Sequence, residues 1–361
     1  MSQSNQNPIV QLKKNMIPFE KTDTKASMKQ IYNTLIPLFA LWAAAYFSLS
    51  VSYWLTLPLA MAASGFVVRA FIMFHDCCHG SFLKSRRGMD ILGTILGILT
   101  LVPYQQWKHS HSVHHATSSN LDKRGVGDLW MLTVEEYKKA SFWTRVSYHA
   151  YRHPFVMFVL GPLFVFGVQY RFNRKDARRK EVINTYVTNA GIAGLYALLI
   201  WLIGWQAFVL VQAPVFFFSG LLGIWLFYVQ HTFEDSYFEN EEDWSYVKAA
   251  VEGSSYYQLP KVLQWITGNI GYHHVHHLSP KVPNYHLEKA HNATPPLQKA
   301  TTITLRTSLK SLQFHLYDEA RQTFISFKQM KRRMAGGSAS EPVLKAAAVP
   351  SEMVKRSKTA G

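Results

Sequence analysis

Two long stretches of the sequence carry no charged side chain. The first runs from Gln30 to Val68 and the second from Val182 to Phe233. A helix crosses a bilayer with about 20 apolar residues, so each stretch has room for two membrane-spanning helices joined by a tight turn. We place these turns near residues 48–52 and 204–206. The predicted spans are about 31–50, 53–74, 184–203 and 207–229.

Two further apolar stretches are shorter and interrupted by Gly or Pro. They run from Ile91 to Val102 and from Phe155 to Val168. At about 1.5 Å per helical residue neither crosses a bilayer comfortably, so we expect interfacial or re-entrant segments. The pattern therefore predicts an all-α integral membrane protein: a four-span helical bundle with its polar segments gathered into a cap.

Charge assigns a side to that cap. The chain has 38 Lys and Arg against 22 Asp and Glu. Neither predicted outer turn carries a Lys or Arg. The segment between the two uncharged stretches holds Lys84, Arg86, Arg87, Lys123, Arg124, Lys138, Lys139, Arg171, Arg174, Lys175, Arg178, Arg179 and Lys180. Since basic residues collect on the cytoplasmic side, we expect a protein of the cell membrane with both termini and the cap in the cytoplasm.

The same charge pattern argues against a nucleic-acid partner. The basic residues lie between apolar stretches rather than along one polar helix, and anionic lipid head groups explain them without nucleic acid.

The remaining segments are polar. Residues 1–29 lack the pattern of a secretory leader, residues 30–310 form the membrane domain, and residues 311–335 form a C-terminal segment. Residues 336–361 are small, polar and basic, and we expect a disordered tail. Cys77 and Cys78 are neighbours and poor candidates for a structural disulfide. Their small number fits a reducing compartment. We expect them to be small buried side chains without a chemical role.

Histidines carry the candidate chemistry. Nine of the sixteen fall into three groups, HDCCH at 75–79, HSVHH at 111–115 and HHVHH at 273–277. Helical residues three and four apart share a face, so H-x3-H supplies two imidazoles and each H-x-x-H-H supplies three. The eight candidate ligands are His75, His79, His111, His114, His115, His273, His276 and His277. This number exceeds the four ligands of a single zinc and predicts two metal ions.

Position supports a shared site. The first group directly follows the second predicted span and the third group lies beyond the fourth, so an even number of crossings separates them. All three groups then reach the cytoplasmic side. Imidazole binds iron, zinc, copper or nickel, and composition does not choose among them.

His231 leaves the fourth span in FYVQHTFED and is therefore delivered to the same side. We take it as a ninth candidate ligand, although a lone histidine at a helix end commonly has a capping role. His274 fills an x position, and we expect a structural role for it. Asn269 in GNIGYHH is expected to be a turn residue. Carboxylates near the groups that could orient an imidazole are Asp76, Asp122, Asp128, Glu234 and Asp235.

The segments around these residues point to a family. HDCCHGSF, HSVHHATSSNLD, YVQHTFEDSYF and TGNIGYHHVHHLSPKVPNY, in this order, resemble the bacterial membrane acyl-lipid fatty acid desaturases, and most of all the Bacillus-type delta-5 phospholipid desaturases. The resemblance extends over roughly residues 30–310. It implies that the eight histidines, with His231 in addition, bind two iron ions that use O₂. It also implies a cis double bond at carbon 5 of phospholipid acyl chains, and a role in membrane fluidity in the cold.

The resemblance implies that electrons arrive from ferredoxin or flavodoxin. The sequence agrees, because it shows neither a G-x-G-x-x-G in a strand–helix context nor the cysteine spacing of an iron–sulfur protein.

Three alternatives remain open from the residues alone. A related membrane hydroxylase or ketolase would use the same histidines. A metalloprotease would use HDCCH in place of H-E-x-x-H, which leaves both H-x-x-H-H units without a task. A metal transporter would place histidines near the bilayer midplane, and the uncharged stretches contain none before His231.

Overall fold

The computed structural model describes residues 8–335. The tail predicted for residues 336–361 lies outside the described residues, as do residues 1–7.

Helices dominate the described chain. They are α1 (Pro8–Lys14), α2 (Thr24–Ser48), α3 (Tyr53–His79), α4 (Arg86–Thr100), α5 (Tyr104–Thr117), α6 (Val134–Lys139), α7 (Phe142–Tyr151), α8 (Gly161–Gly167), α9 (Arg179–Ile203), α10 (Trp205–His231), α11 (Tyr246–Glu252), α12 (Lys261–Ile266), α13 (His273–Leu278), α14 (Leu287–Ala293), α15 (Leu305–Ser308) and α16 (Phe327–Met334). A π-helical turn, Val156–Leu160, precedes α8.

The described residues also contain five short strands, so the prediction of an all-α chain is wrong in this detail. They are β1 (Leu132–Thr133), β2 (Tyr256–Gln258), β3 (Thr302–Thr304), β4 (Leu316–Asp318) and β5 (Thr323–Ile325). β1 pairs parallel with β4, β4 pairs antiparallel with β5, and β2 pairs parallel with β3. Strands of two or three residues are too short to show an alternating hydrophobic pattern, so the sequence gives no signal for them.

Four helices are long and apolar enough to cross a membrane, namely α2, α3, α9 and α10. They overlap the four spans predicted from the uncharged stretches. α3 packs against both α2 and α10. α3 is therefore the central helix of the bundle.

The turns between paired spans fall where the sequence places them. The hydroxyl of Ser52 accepts a hydrogen bond from the backbone N–H of Trp54 and caps α3. Gly204 joins α9 to α10 with a φ of 80°, a conformation that favours glycine. Each pair of spans is therefore an antiparallel hairpin with a very short connection.

Each of the two shorter apolar stretches forms one arm of a bent helix pair. The axes of α4 and α5 differ by 97°, and those of α7 and the helical segment Val156–Arg171 by 68°. α4 begins a few residues after α3 ends, and α5 returns its histidines to the same end of α3. By length and composition each bent pair is either a re-entrant segment or one broken span, and the return of the α5 histidines to the end of α3 favours a re-entrant segment for α4 and α5.

Tyr104 fixes that segment to the central helix. Its buried ring packs over Gly93 of α4, and its hydroxyl donates a hydrogen bond to the carbonyl oxygen of Cys77, 2.8 Å away. A Cβ at Gly93 would lie 2.2 Å from the ring. The absence of a side chain at Gly93 therefore lets the Tyr104 ring lie against α4 while its hydroxyl reaches α3.

We expect Gly93→Ala to destabilise the protein by roughly 1–3 kcal/mol, because the added methyl group collides with a ring that is held by its hydrogen bond. The measurement is thermal unfolding in detergent. The matched control is Gly194→Ala in α9, where nothing lies within 4 Å of the added Cβ. Equal melting temperatures for the two variants would contradict this account.

Candidate metal centre and adjoining cavity

The nine candidate histidines are carried by the ends of four helices. His75 and His79 occupy the last turns of α3, which ends at Gly80 with a φ of 71°. α5 and α13 carry the two H-x-x-H-H units, and His231 is the last residue of α10. The structure brings all nine side chains together at one end of the bundle.

One group of imidazoles contains five members. Their candidate ligand nitrogens all lie within 4.8 Å of one another, in His75, His79, His111, His115 and His276. The Nε2 atom of His115 lies 3.1 Å from that of His111 and 3.0 Å from that of His276.

A second group lies beside the first. Its nitrogens within 4.8 Å of one another belong to His114, His231 and His277. The Nε2 atom of His273 lies 2.9 Å from that of His231 and 3.1 Å from that of His277, which makes it a fourth member. The rings of His115 and His277 stack with centroids 4.2 Å apart, so the two groups are in contact.

Helical geometry explains how the motifs divide. In α5 the pair four residues apart, His111 and His115, joins the five-member group, and His114 faces the other group. In α13 the arrangement is reversed: His273 and His277 join the four-member group, and His276 crosses over. Each H-x-x-H-H unit therefore reaches both groups. Seen down the helix axis, the histidine three residues after the first lies to one side of it, and the histidine four residues after lies to the other side.

The nitrogen separations fit metal ions. Ligands about 2.1 Å from one metal ion lie about 3.0 Å apart at right angles and about 3.4 Å apart in a tetrahedron. Within each group, neighbouring Nε2 atoms lie 2.9–3.3 Å apart, which matches these values. The Nε2 atom of His79 is buried without a hydrogen-bond partner in the protein, as expected for an atom that ligates a metal.

The electrostatics favour neutral imidazoles, the form that binds metals. Burial, reinforced by the neighbouring imidazoles, lowers the pKa well below its ordinary value in His111, His115, His273, His276 and His277. The nine residues thus fit two adjacent metal ions.

Three imidazoles are oriented through their Nδ1 atoms. His75 Nδ1 lies 3.1 Å from Asp76 Oδ1, and His114 Nδ1 lies 2.5 Å from Asp128 Oδ1. His231 Nδ1 lies 3.3 Å from the carbonyl oxygen of Gly253. A donor Nδ1–H in each ring leaves Nε2 free to face the metal.

Asp76 is itself held in place. Its Oδ2 atom accepts hydrogen bonds from the backbone N–H and the side-chain amide of Asn284, at 2.7 and 2.8 Å. Asn284 follows the third histidine group in the chain, and no motif singles it out before the structure is known.

The other carboxylates considered as orienting groups are placed elsewhere. Asp122 accepts a hydrogen bond from the backbone N–H of Glu241. Within residues 8–335, Glu234 and Asp235 form no hydrogen bond to an imidazole.

The remaining candidates lie outside the two groups. His274 Nε2 lies 3.0 Å from His291 Nδ1, so His274 contacts a histidine outside both groups. Asn269 has a φ of 58° and is a turn residue, as expected. Cys77 and Cys78 are buried and unpaired with each other.

An apolar cavity adjoins the metal centre. Its volume is about 620 Å³, within the range of about 300–1,000 Å³ typical of ligand pockets. Trp107, His111 and Asp128 line it at the histidine end, and its wall continues along α10 from Phe227 to Gln212. Other wall residues come from α3, α4 and α8.

Comparison with known proteins decides the family. The family model described as "Fatty acid desaturase" matches residues 18–307. The chain belongs to the fatty acid desaturase family. A relative called "Fatty acid desaturase" from Bacillus subtilis is 62% identical over 321 residues, which is 89% of this chain and 91% of the relative.

More distant desaturases also match. The "sn-1 oleoyl-lipid 12-desaturase" of Synechocystis is 28% identical, over 87% of this chain and 91% of its own length. The chloroplastic "Omega-6 fatty acid desaturase" of Spinacia oleracea is 27% identical, over 76% of this chain and 60% of its own length. The structure adds to these matches a histidine-rich cluster able to bind metal and four helices long and apolar enough to cross a membrane.

We expect Asp128→Asn to weaken metal binding by about 10–100-fold, because it removes the charged partner of His114 Nδ1. The measurement is the metal retained per chain during competition with a chelator. Asp122→Asn is the matched control, since Asp122 bonds to a backbone N–H and to no imidazole of the cluster. Equal metal loss in both variants would contradict the orienting role of Asp128.

Proposed function

We propose that this desaturase introduces a cis double bond at carbon 5 of acyl chains in membrane phospholipids. The observation that carries the proposal is the apolar cavity that begins at His111 and Asp128 beside the histidine cluster. A cavity of this kind accepts a hydrocarbon chain and holds one stretch of it against the metal centre.

We further propose that the nine histidines hold two iron ions, five in one group and four in the other. Bound there, iron supplies with O₂ the oxidising power for removing hydrogen from unactivated methylenes, which lies beyond acid–base chemistry by side chains. Most of these imidazoles are buried and their ligand nitrogens face one another, so we assign them the task of holding the ions at fixed positions.

We assign to the side chains around the metal centre the binding and positioning of the acyl chain. The indole of Trp107 stacks on His111 with centroids 4.1 Å apart, and Phe227 packs against His114 at 5.2 Å. Both rings also line the cavity. They keep the ligand nitrogens away from water on the substrate side.

The substrate and bond position rest on different supports. An acyl-lipid substrate is supported by the Synechocystis relative, whose name is that of an oleoyl-lipid desaturase. The carbon-5 position rests on the resemblance of the histidine segments to the Bacillus-type enzymes, and the 62% identity to the Bacillus subtilis relative favours it. Synthesis of unsaturated phospholipid would support membrane fluidity in the cold.

Electrons have to come from a separate carrier, for which we propose ferredoxin or flavodoxin. The sequence shows no motif for a nicotinamide or flavin of its own. The basic segment between the span pairs supports a cytoplasmic location of the histidine end in the cell membrane, where such carriers are found.

The metalloprotease alternative fits the geometry poorly. It needs only the first histidine group, whereas the structure joins all three groups and His231 into one cluster. Hydroxylation would use the same centre, and family membership favours desaturation over it.

Expression in a bacterium with saturated acyl chains and a supply of ferredoxin tests the reaction. We expect a new double bond at carbon 5 of phospholipid-bound chains, located by mass spectrometry of derivatised fatty acids. His114→Ala is expected to abolish the product. His109→Ala, on the same helix but with its imidazole 3.8 Å from Glu181, is expected to retain it. A hydroxylated product or unchanged activity in His114→Ala would overturn the proposal.

Metal analysis tests the centre independently of activity. We expect two iron ions per chain in the purified protein, and about one after His231→Ala weakens the four-member group. Finding one zinc ion per chain in the unaltered protein would contradict the proposed centre and favour the metalloprotease interpretation.

A further inference from the structure

The apolar cavity has a polar residue at its far end. Gln212 is the cavity-lining residue of α10 most distant from the histidines. It precedes Phe227 by 15 residues, which corresponds to about 22 Å along the helix. Half of a hydrocarbon core of about 30 Å spans about 15 Å, so this distance exceeds the depth of one leaflet.

Two neighbouring helices hold the Gln212 side chain. Its Oε1 atom accepts a hydrogen bond from the indole N–H of Trp42 in α2, at 2.9 Å. Its Nε2 atom donates to the hydroxyl of Tyr196 in α9, at 3.2 Å. Because water is absent at membrane depth, a side-chain amide keeps such partners, and the rotamer of Gln212 is thereby fixed.

Gln212 is half-buried and lies beside a buried apolar cluster of the bundle. One turn along α10, Val215 packs in a buried cluster with Leu38 of α2 and with Ala60 and Ala63 of α3. Displacing Gln212 to lengthen the cavity would break both of its hydrogen bonds in an apolar environment. The far end of the cavity is therefore a rigid wall rather than an adaptable one.

We propose that Gln212, held by Trp42 and Tyr196, is the floor of the cavity and sets the longest acyl chain that the desaturase accepts. This inference rests on the proposed function. The methyl end of the chain meets Gln212, while the carboxyl end lies toward the histidines. The floor limits chain length without setting the bond position, which is counted from the carboxyl end.

Substitutions of opposite size test the floor. Gln212→Ala deepens the cavity, and Gln212→Trp shortens it. The control is Val209→Ala on the same helix, whose side chain is 47% exposed and does not line the cavity. Each variant is expressed in cells fed an equal mixture of saturated fatty acids from myristate to arachidate, and the chain lengths of the desaturated products are compared.

We expect the ratio of desaturated arachidoyl to desaturated palmitoyl chains to rise several-fold in Gln212→Ala and to fall several-fold in Gln212→Trp. Val209→Ala should match the unaltered protein, and the bond position should be the same in all. An unchanged ratio in both Gln212 variants, with palmitoyl chains still desaturated, would overturn the proposal and leave Gln212 as a link between helices.

A binding measurement separates this inference from the proposed reaction. The melting temperature of each purified variant is measured with saturated phospholipids of increasing chain length, since a bound ligand stabilises the folded state. We expect the chain length that stabilises most to increase in Gln212→Ala, whether or not a double bond is formed. The same optimum in Gln212→Ala and the unaltered protein would overturn the inference, whereas a missing double bond alone would count only against the reaction.

Discussion

The structure depends on the convergence of nine largely buried imidazoles, among which several pairs of Nε2 atoms lie only about 3 Å apart. Burial of polar nitrogens without partners is costly, and metal ions are the partners that fit these separations. The requirement reaches far into the fold. α3, α5, α10 and α13 have to end or pass at one level, so the lengths of the spans and the re-entrant bend between α4 and α5 follow from it.

The central helix carries most of the links that meet this requirement. Asp76 joins the first histidine group to Asn284, beyond the third group. One step deeper, Arg69 donates hydrogen bonds to Thr34 Oγ1 in α2 and to the carbonyl oxygen of Trp265, whose ring lies 4.0 Å from the guanidinium. A buried arginine within a span is stable only with such partners. These contacts fix the segment that leads into α13, so the third histidine group is positioned from both its sides.

Sequence spacing was sufficient to predict which histidines meet, and the position of His231 at a span end was sufficient to include it. Their division into groups of five and four was not predictable. It depends on how α5 and α13 are rotated about their axes, which decides that His114 and His276 each join a different group from the other histidines of their own helix. The cavity also left no signal. Its wall combines residues such as Val67, Leu99 and Met157 from distant segments, each of which reads in the sequence as ordinary apolar surface. Periodicity identifies the spans but is silent on the space between them.

The short connections at the end remote from the histidines have a consequence for how the protein meets its surroundings. Within residues 8–335, α2 joins α3 through residues 49–52 and α9 joins α10 through Gly204 alone. Within the described part of the chain, these connections therefore present very few polar groups at that end of the paired helices. A soluble molecule therefore meets most of the described polar segments, and the histidine cluster, at the opposite end of the bundle.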